Sequence, residues 1–288
     1  MKVFPKIATE QVLAHQLARF AVEALTEEVR LTPKPGLVDG HNNGTHHDLS
    51  LELMENSAQA LRECFYEIAM ASFNQQPSAY LRERLAAIGR YGEQQMLLAT
   101  GQVNTHKGAI WALGLLTGAA SLLISRECGE IHAEKILSAA GAIALFNDRF
   151  IPVQNTHGSE VRKIYSVRSA REEAAAGFPS ILETAIPAWH LYAHETEEVR
   201  RLNTLLALMA IVDDTCILHR SDMKVLREVQ RQSQAILDRG GLGVSANWQA
   251  YTLLDKYITR EWVSPGGSAD LLAATIFIEK ITQHFKIN

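Results

Sequence analysis

The segment EVRLTPKPGLVDGHNNGTHHDLS, residues 28–50, concentrates groups that can move protons and hold anions. Lys34 stands between Pro33 and Pro35, which fix the backbone and lower the entropy cost of presenting an ammonium to an anion. The same prolines also serve a rigid exit from a helix. His46, His47 and Asp48 follow at the expected start of the next helix, where an imidazole pair and a carboxylate can relay protons, ligate a metal or cap the helix. Asp39 is a second carboxylate in the same loop.

Three further clusters carry polar chemistry at the ends of apolar runs. In Asn104, Thr105, His106, Lys107 and Gly108 a lysine opens a helix whose first-turn N–H groups and dipole favour phosphate; alternatively Thr105 is a simple cap and His106 is exposed. Asp213 and Asp214 interrupt the apolar run Leu205 to Val212, and a buried acidic pair is costly unless it is paired or bound to a cation. Mg²⁺ with a polyphosphate suits such a pair, since it takes one or two carboxylates together with phosphate oxygens. Ser264, Pro265, Gly266, Gly267, Ser268 and Asp270 read as a tight turn into a helix, open to close ligand approach, with Asp270 either a site residue or a dipole-favoured cap. GxxxxGK[ST] is absent, so nucleotide binding through that loop is excluded.

The elements that must hold these groups are helices. Apolar residues recur at helical spacing, and β-branched alternation is nearly absent. Val12, Leu13, Leu17, Phe20, Ala21, Ala24 and Leu25 define a first helix ending before Pro33. Asp48 is expected to cap the next, with Leu49, Leu53, Ser57, Ala60 and Leu61 inward. Further helices are expected at about 78–100, 105–126, 131–147, 169–176, 179–194, 196–219, 222–239, 246–260 and 267–285. Trp189, Trp248, Met70 and Met96 read as core, and Gly240 with Gly241 as a helix stop. No linker or repeat divides residues 1–288, so the expectation is an all-α, single compact multi-helix domain.

Composition excludes several classes. With 47% hydrophobic residues in 288, a substantial core is available. A net charge of -4 with scattered Lys and Arg argues against nucleic acid as a partner. Gly108 to Ser125 is uncharged and nearly long enough to span a bilayer, but its glycines and hydroxyls suit a buried core helix, so no membrane is expected. The N-terminus lacks a signal-peptide pattern. Cys64, Cys128 and Cys216 lie far apart without CxxC spacing, which fits a reducing cytoplasm.

LTPKPGLVD, GTHHD, VNTHKGAI, AGFP and SPGGSADLL, in this order over roughly residues 20–280, resemble the triphosphoribosyl-dephospho-coenzyme A synthases. HHDLSLELM, ATGQVNTHKGAIWALGLL and DDTCILHR look closest to the branch serving malonate decarboxylase. The resemblance implies an all-helical enzyme that attacks the ribosyl C1 of ATP with the 2′-hydroxyl of 3′-dephospho-CoA, releases adenine and inverts the centre. A separate transferase would then load the product onto an acyl carrier protein. Such chemistry needs a base, an acid for adenine, negative charge near the oxocarbenium centre and cationic cover for the triphosphate.

As implied roles, Asp48 with His46 serves the acceptor hydroxyl, with Asp39 the runner-up base. Lys34 and Lys107 contact phosphates, while Asn104, His106, Arg220, Ser264, Gly266, Gly267, Ser268 and Asp270 bind substrate. Asp213 and Asp214 hold Mg²⁺, so D214N is expected to abolish adenine release and leave the fold intact. The same reaction serving citrate lyase is one alternative. Another is a catalytically silent relative, because Arg220, Ser221, Asp222 replace the family's usual RGG and SAREE, residues 169–173, replaces GxRGE.

Overall fold

The computed structural model describes residues 9–126, 130–151 and 157–286, and among them regular structure is entirely helical. Cys128 and Pro152 lie outside the described residues. The longest apolar helix forms the centre: α5, Lys107–Arg126, packs against α1, Glu10–Arg30; α3, Arg62–Ser72; α4, Ala79–Ala99; α6, Ala133–Ala144; and α14, Gly266–His284. Close approach explains its small residues. A Cβ on Gly118 would come within 2.8 Å of the Leu85 side chain, and Ser121 Oγ donates to the Ala69 carbonyl at 2.6 Å. Although α5 is long and apolar enough to cross a membrane, most of it is buried in this bundle.

α1 presents Leu13, Leu17, Ala21, Ala24 and Leu25 to the core it shares with α3 and α14, while Val29 packs with Val38 and Leu49. α14 also meets α10, Glu197–Ile211, which packs on α12, Met223–Leu237, beside α13, Asn247–Arg260. One apolar cluster therefore runs from Leu13 to Ile281. Trp189 and Met96 are buried in it, Met70 and Trp248 pack against it, and Gly240 and Gly241 take the left-handed conformation that ends α12.

Three expected elements differ. α2, Leu51–Ala60, is capped by Ser50, whose side chain accepts from Leu53 N, and not by Asp48; α2 gives way to α3 at Leu61. The helix expected over 179–194 begins as a π-helical turn, Ser180–Ala185, continuing into α9, Ile186–Leu191. Pro187 lacks the N–H an α-turn requires, which accounts for the wider register ahead of it. The helix expected over 196–219 breaks at Val212, and α11, Thr215–Arg220, starts afresh with Asp214 as its cap. Gln230 Nε2 donates to the exposed Val212 carbonyl at 3.0 Å, stabilising the break.

Candidate active site

The loop between α1 and α2 folds back onto the turn between α13 and α14. Gly36 takes φ 66°, and a Cβ there would collide with Ile258 at 2.2 Å, so only glycine fits. Gly36 N donates to Asp255 Oδ1, Tyr251 OH donates to the Pro33 carbonyl, and Thr45 Oγ1 donates to the Val263 carbonyl at 2.8 Å. Asp39 accepts backbone N–H groups from Lys34, His41 and Asn42 at 2.7 to 3.0 Å. Three of its acceptor positions thus shape the loop.

Lys34 is buried, and its Nζ donates to Glu28 Oε1 at 2.5 Å and to the Glu28 carbonyl at 2.7 Å. The proline frame thus delivers the ammonium inward to an acid from α1. Glu28 was absent from the sequence reading, yet it continues the buried spacing of Leu17, Ala21 and Ala24, and an acid on an apolar face is the signal that finds it. Asp270, one turn into α14, lies near this pair. Desolvation pushes its carboxyl well above the usual range, and the charges of Glu28 and Asp214 push it further. Gly108 makes room for it: a Cβ at 108 would lie 2.0 Å from Asp270 Oδ2.

Asp214 ties two helix starts together. Its Oδ1 accepts Cys216 N at 3.0 Å and Gly267 N at 3.2 Å, and its Oδ2 accepts Ser268 N at 2.9 Å and Ser268 Oγ at 3.0 Å. Asp213 turns elsewhere and pairs with Arg227 at 3.2 Å. The two aspartates therefore do not fit the expected joint Mg²⁺ site, and among the described residues no group of three or more His, Cys, Asp or Glu side chains could hold a metal ion. Cys216 is exposed, and Gly266 leaves 3.0 Å between its own would-be Cβ and the Cys216 sulfur. Although the residue is exposed as a whole, its sulfur lies inward against Gly266, where desolvation and the charges of Asp214 and Asp270 push the thiol up.

At the other side of the loop, Arg220 Nη1 donates to the Thr45 carbonyl at 2.8 Å, and Nη2 donates to His46 Nδ1 at 3.1 Å. A guanidinium has no acceptor, so His46 Nδ1 accepts and Nε2 carries the hydrogen, donating to Ser264 Oγ at 3.0 Å. Burial and the Arg220 charge push His46 down to about 4, so it is neutral at physiological pH. Asp48 is exposed, 4.0 Å from His46. His47 stacks on Trp262, a further residue the sequence reading missed.

His106 is buried, which rules out the alternative of an exposed ring. Ser57 Oγ bonds its Nδ1 at 2.8 Å, Nε2 lacks a partner, and burial aided by Lys34 pushes the ring down to about 4. Asn104 Oδ1 accepts Lys107 N at 3.2 Å, so Asn104 takes the capping role considered for Thr105. Lys107 sits at the rim, 3.2 Å from Glu93. The structure thus gathers His106, Lys34, Glu28, Asp270 and Asp214 where α1, α5, α11 and α14 meet. It leaves Asp48, Lys107 and Asp213 around the edge.

The two departures from the family pattern are absorbed locally. Ser221 and Asp222 have ordinary negative φ, and Asp222 caps α12 by accepting Val225 N at 2.9 Å. Ser169 and Glu172 form a capping box at the start of α8, Ala170–Ala175. Neither position needs glycine.

One junction of this all-helical chain thus sets a buried Lys34–Glu28 pair beside the Asp214 and Asp270 carboxyls and glycine-lined helix starts. Residues 14–288 match the model of the CitG family, ATP:dephospho-CoA triphosphoribosyl transferase. The chain is 44% identical over 270 residues to a "Probable 2-(5''-triphosphoribosyl)-3'-dephosphocoenzyme-A synthase" of Pseudomonas syringae pv. tomato, covering 93% of this chain and 91% of that protein. It is 43% identical over 267 residues to the Klebsiella pneumoniae "2-(5''-triphosphoribosyl)-3'-dephosphocoenzyme-A synthase", covering 92% and 94%. No solved structure matches. The chain belongs to the ATP:dephospho-CoA triphosphoribosyl transferase family, and it is a transferase enzyme.

Proposed function

We propose that the enzyme joins the ribosyl C1 of ATP to the 2′-oxygen of 3′-dephospho-CoA, with the C1–N9 bond to adenine breaking and the triphosphate staying on the transferred sugar. The observation that carries the roles is the contrast between two carboxyls. Asp270 is half-buried, and desolvation together with the charges of Glu28 and Asp214 raises its proton affinity, which suits donation to the departing adenine. Asp48 is exposed at the loop edge, where it suits accepting the proton of the incoming hydroxyl, with neutral His46 and Ser264 orienting that side. Glu28 and Asp214 supply negative charge beside Asp270, as an oxocarbenium-like centre requires.

Mg²⁺ enters this reading with the triphosphate, held by phosphate oxygens, since Asp213 and Asp214 are engaged elsewhere. The resemblance of HHDLSLELM and DDTCILHR supports a product destined for malonate decarboxylase; citrate lyase would receive the same product. Free Cys64 and Cys216 support a reducing, cytoplasmic setting. In an adenine-release assay with ATP, Mg²⁺ and 3′-dephospho-CoA, the acceptor should gain one triphosphoribosyl unit by mass spectrometry. D270A should lose about 10²- to 10⁴-fold in turnover. Adenine release unaffected by D270A would refute the acid role; substrate binding without any adenine would mark a silent relative.

A further inference from the structure

The site described above is short of free cations for a triphosphate: Lys34 is held by Glu28, Lys107 by Glu93, and Arg220 by Thr45 and His46. Further positive charge lies where α4 packs on α5. Trp111 follows Lys107 by one helical turn, and Arg90 precedes Glu93 by nearly one, so this region adjoins the Lys107 rim.

Here Arg82 is 5% exposed, its Nε has no hydrogen-bond partner, and its guanidinium lies 4.8 Å above the Trp111 ring. A buried guanidinium without a carboxylate partner is costly and rare. Burial is the main force lowering its proton affinity; Asp148 opposes it, and the charges of Arg171 and Arg90 lower it further. Asp148 is already taken, pairing with Arg90 Nη1 at 2.5 Å and accepting Phe150 N at 2.9 Å. Arg171 contacts the neutral Asn147, and its helix is fastened to α5 by Trp111 Nε1, which donates to the Ala170 carbonyl at 3.2 Å. In the contacts among the described residues, these three guanidiniums have Asp148 as their shared carboxylate, which leaves positive charge in excess. An anion of about two negative charges with several acceptor oxygens meets that surplus, and planar guanidiniums suit phosphate.

We propose that Arg82, Arg90 and Arg171 form a subsite for the phosphate chain of a nucleotide substrate. The identity of the ester, triphosphate of ATP or diphosphate of 3′-dephospho-CoA, rests on the reading above; affinity for a bare polyphosphate does not. Calorimetric titration with inorganic pyrophosphate, on the full-length protein, should show binding that weakens roughly tenfold or more in R82M and in R171M, with partial recovery in R82K. Arg171 is exposed, so R171M keeps the test valid if R82M fails to fold. Equal pyrophosphate affinity in wild type and R171M, or none in wild type, overturns the subsite.

Steady-state kinetics separates the sources: a KM raised for ATP alone assigns the triphosphate, and one raised for 3′-dephospho-CoA alone assigns the diphosphate. Arginine-dependent pyrophosphate binding in a protein that releases no adenine would keep the subsite and sink the synthase reading. Adenine release with both KM values unchanged in R82M and R171M would do the reverse.

Discussion

D214N separates a structural carboxylate from a metal ligand. In the folded protein both oxygens of Asp214 accept two donors each, drawn from Cys216, Gly267 and Ser268. An asparagine keeps one oxygen and turns an NH₂ toward the other two donors. The Ser268 hydroxyl can rotate to accept, but a backbone N–H cannot, so at least one buried donor is left unpaired, and α11 and α14 lose a charged cap. An unsatisfied buried donor costs about 1 to 3 kcal/mol, and a lost charge-assisted cap adds about 1 kcal/mol. The sum is about 2 to 4 kcal/mol, which for a domain of this size lowers Tm by roughly 5 to 10 °C. Thermal and urea unfolding of D214N should show this loss beside reduced adenine release. D213N removes only a partly exposed pair with Arg227 and should cost under about 1 kcal/mol. If D214N melts within about 1 °C of wild type while adenine release vanishes, the reasoning fails and a metal-ligand role returns.

Breaking the buried Lys34–Glu28 pair by K34M should destabilise the fold by about 3 to 5 kcal/mol, read from urea midpoints; an unchanged midpoint would show that Glu28 finds another partner. His46 and His106 both have folded values near 4, below the ordinary 6.5, so their contribution to stability is present above 6.5 and is lost as pH falls toward 4. At pH 5 each should have lost about 2 kcal/mol, and H106N should show a visibly smaller drop between pH 7 and pH 5 than wild type. Asp270 runs the other way: its raised value means stability, and proton donation with it, declines as pH rises through that value, so a pH–rate profile should lose its alkaline limb's dependence in D270N. G108A should retain the fold but displace Asp270 and lower adenine release, since the new methyl would sit 2.0 Å from Oδ2; G101A, where a Cβ meets nothing, should cost only about 1 to 2 kcal/mol for its φ of 63° and leave activity in place.

The helical class and the apolar faces were legible in the sequence because helical spacing is a local property. α1, α4, α12 and α13 fall close to the positions read from apolar recurrence alone, and the motif segments identify the family because their residue types and order are themselves one-dimensional. What each motif residue touches was not legible. Lys34 looked like an outward anion contact until Glu28 met it from the preceding helix, and Asp39 read as a candidate base with no sign of the three backbone N–H groups that close on it. Asp213 and Asp214 read as one pair inside one helix. Capping α11 and reaching the start of α14 could separate them only after a contact spanning 53 residues had formed between Asp214 and Gly267. Likewise Arg82 has no distinguishing local pattern; its missing partner exists only once Trp111, Asp148 and Arg171 are folded around it. Proton affinity and the pairing of charge depend on desolvation and on neighbours remote in sequence. Those are set by packing, and packing is what the tertiary structure alone decides.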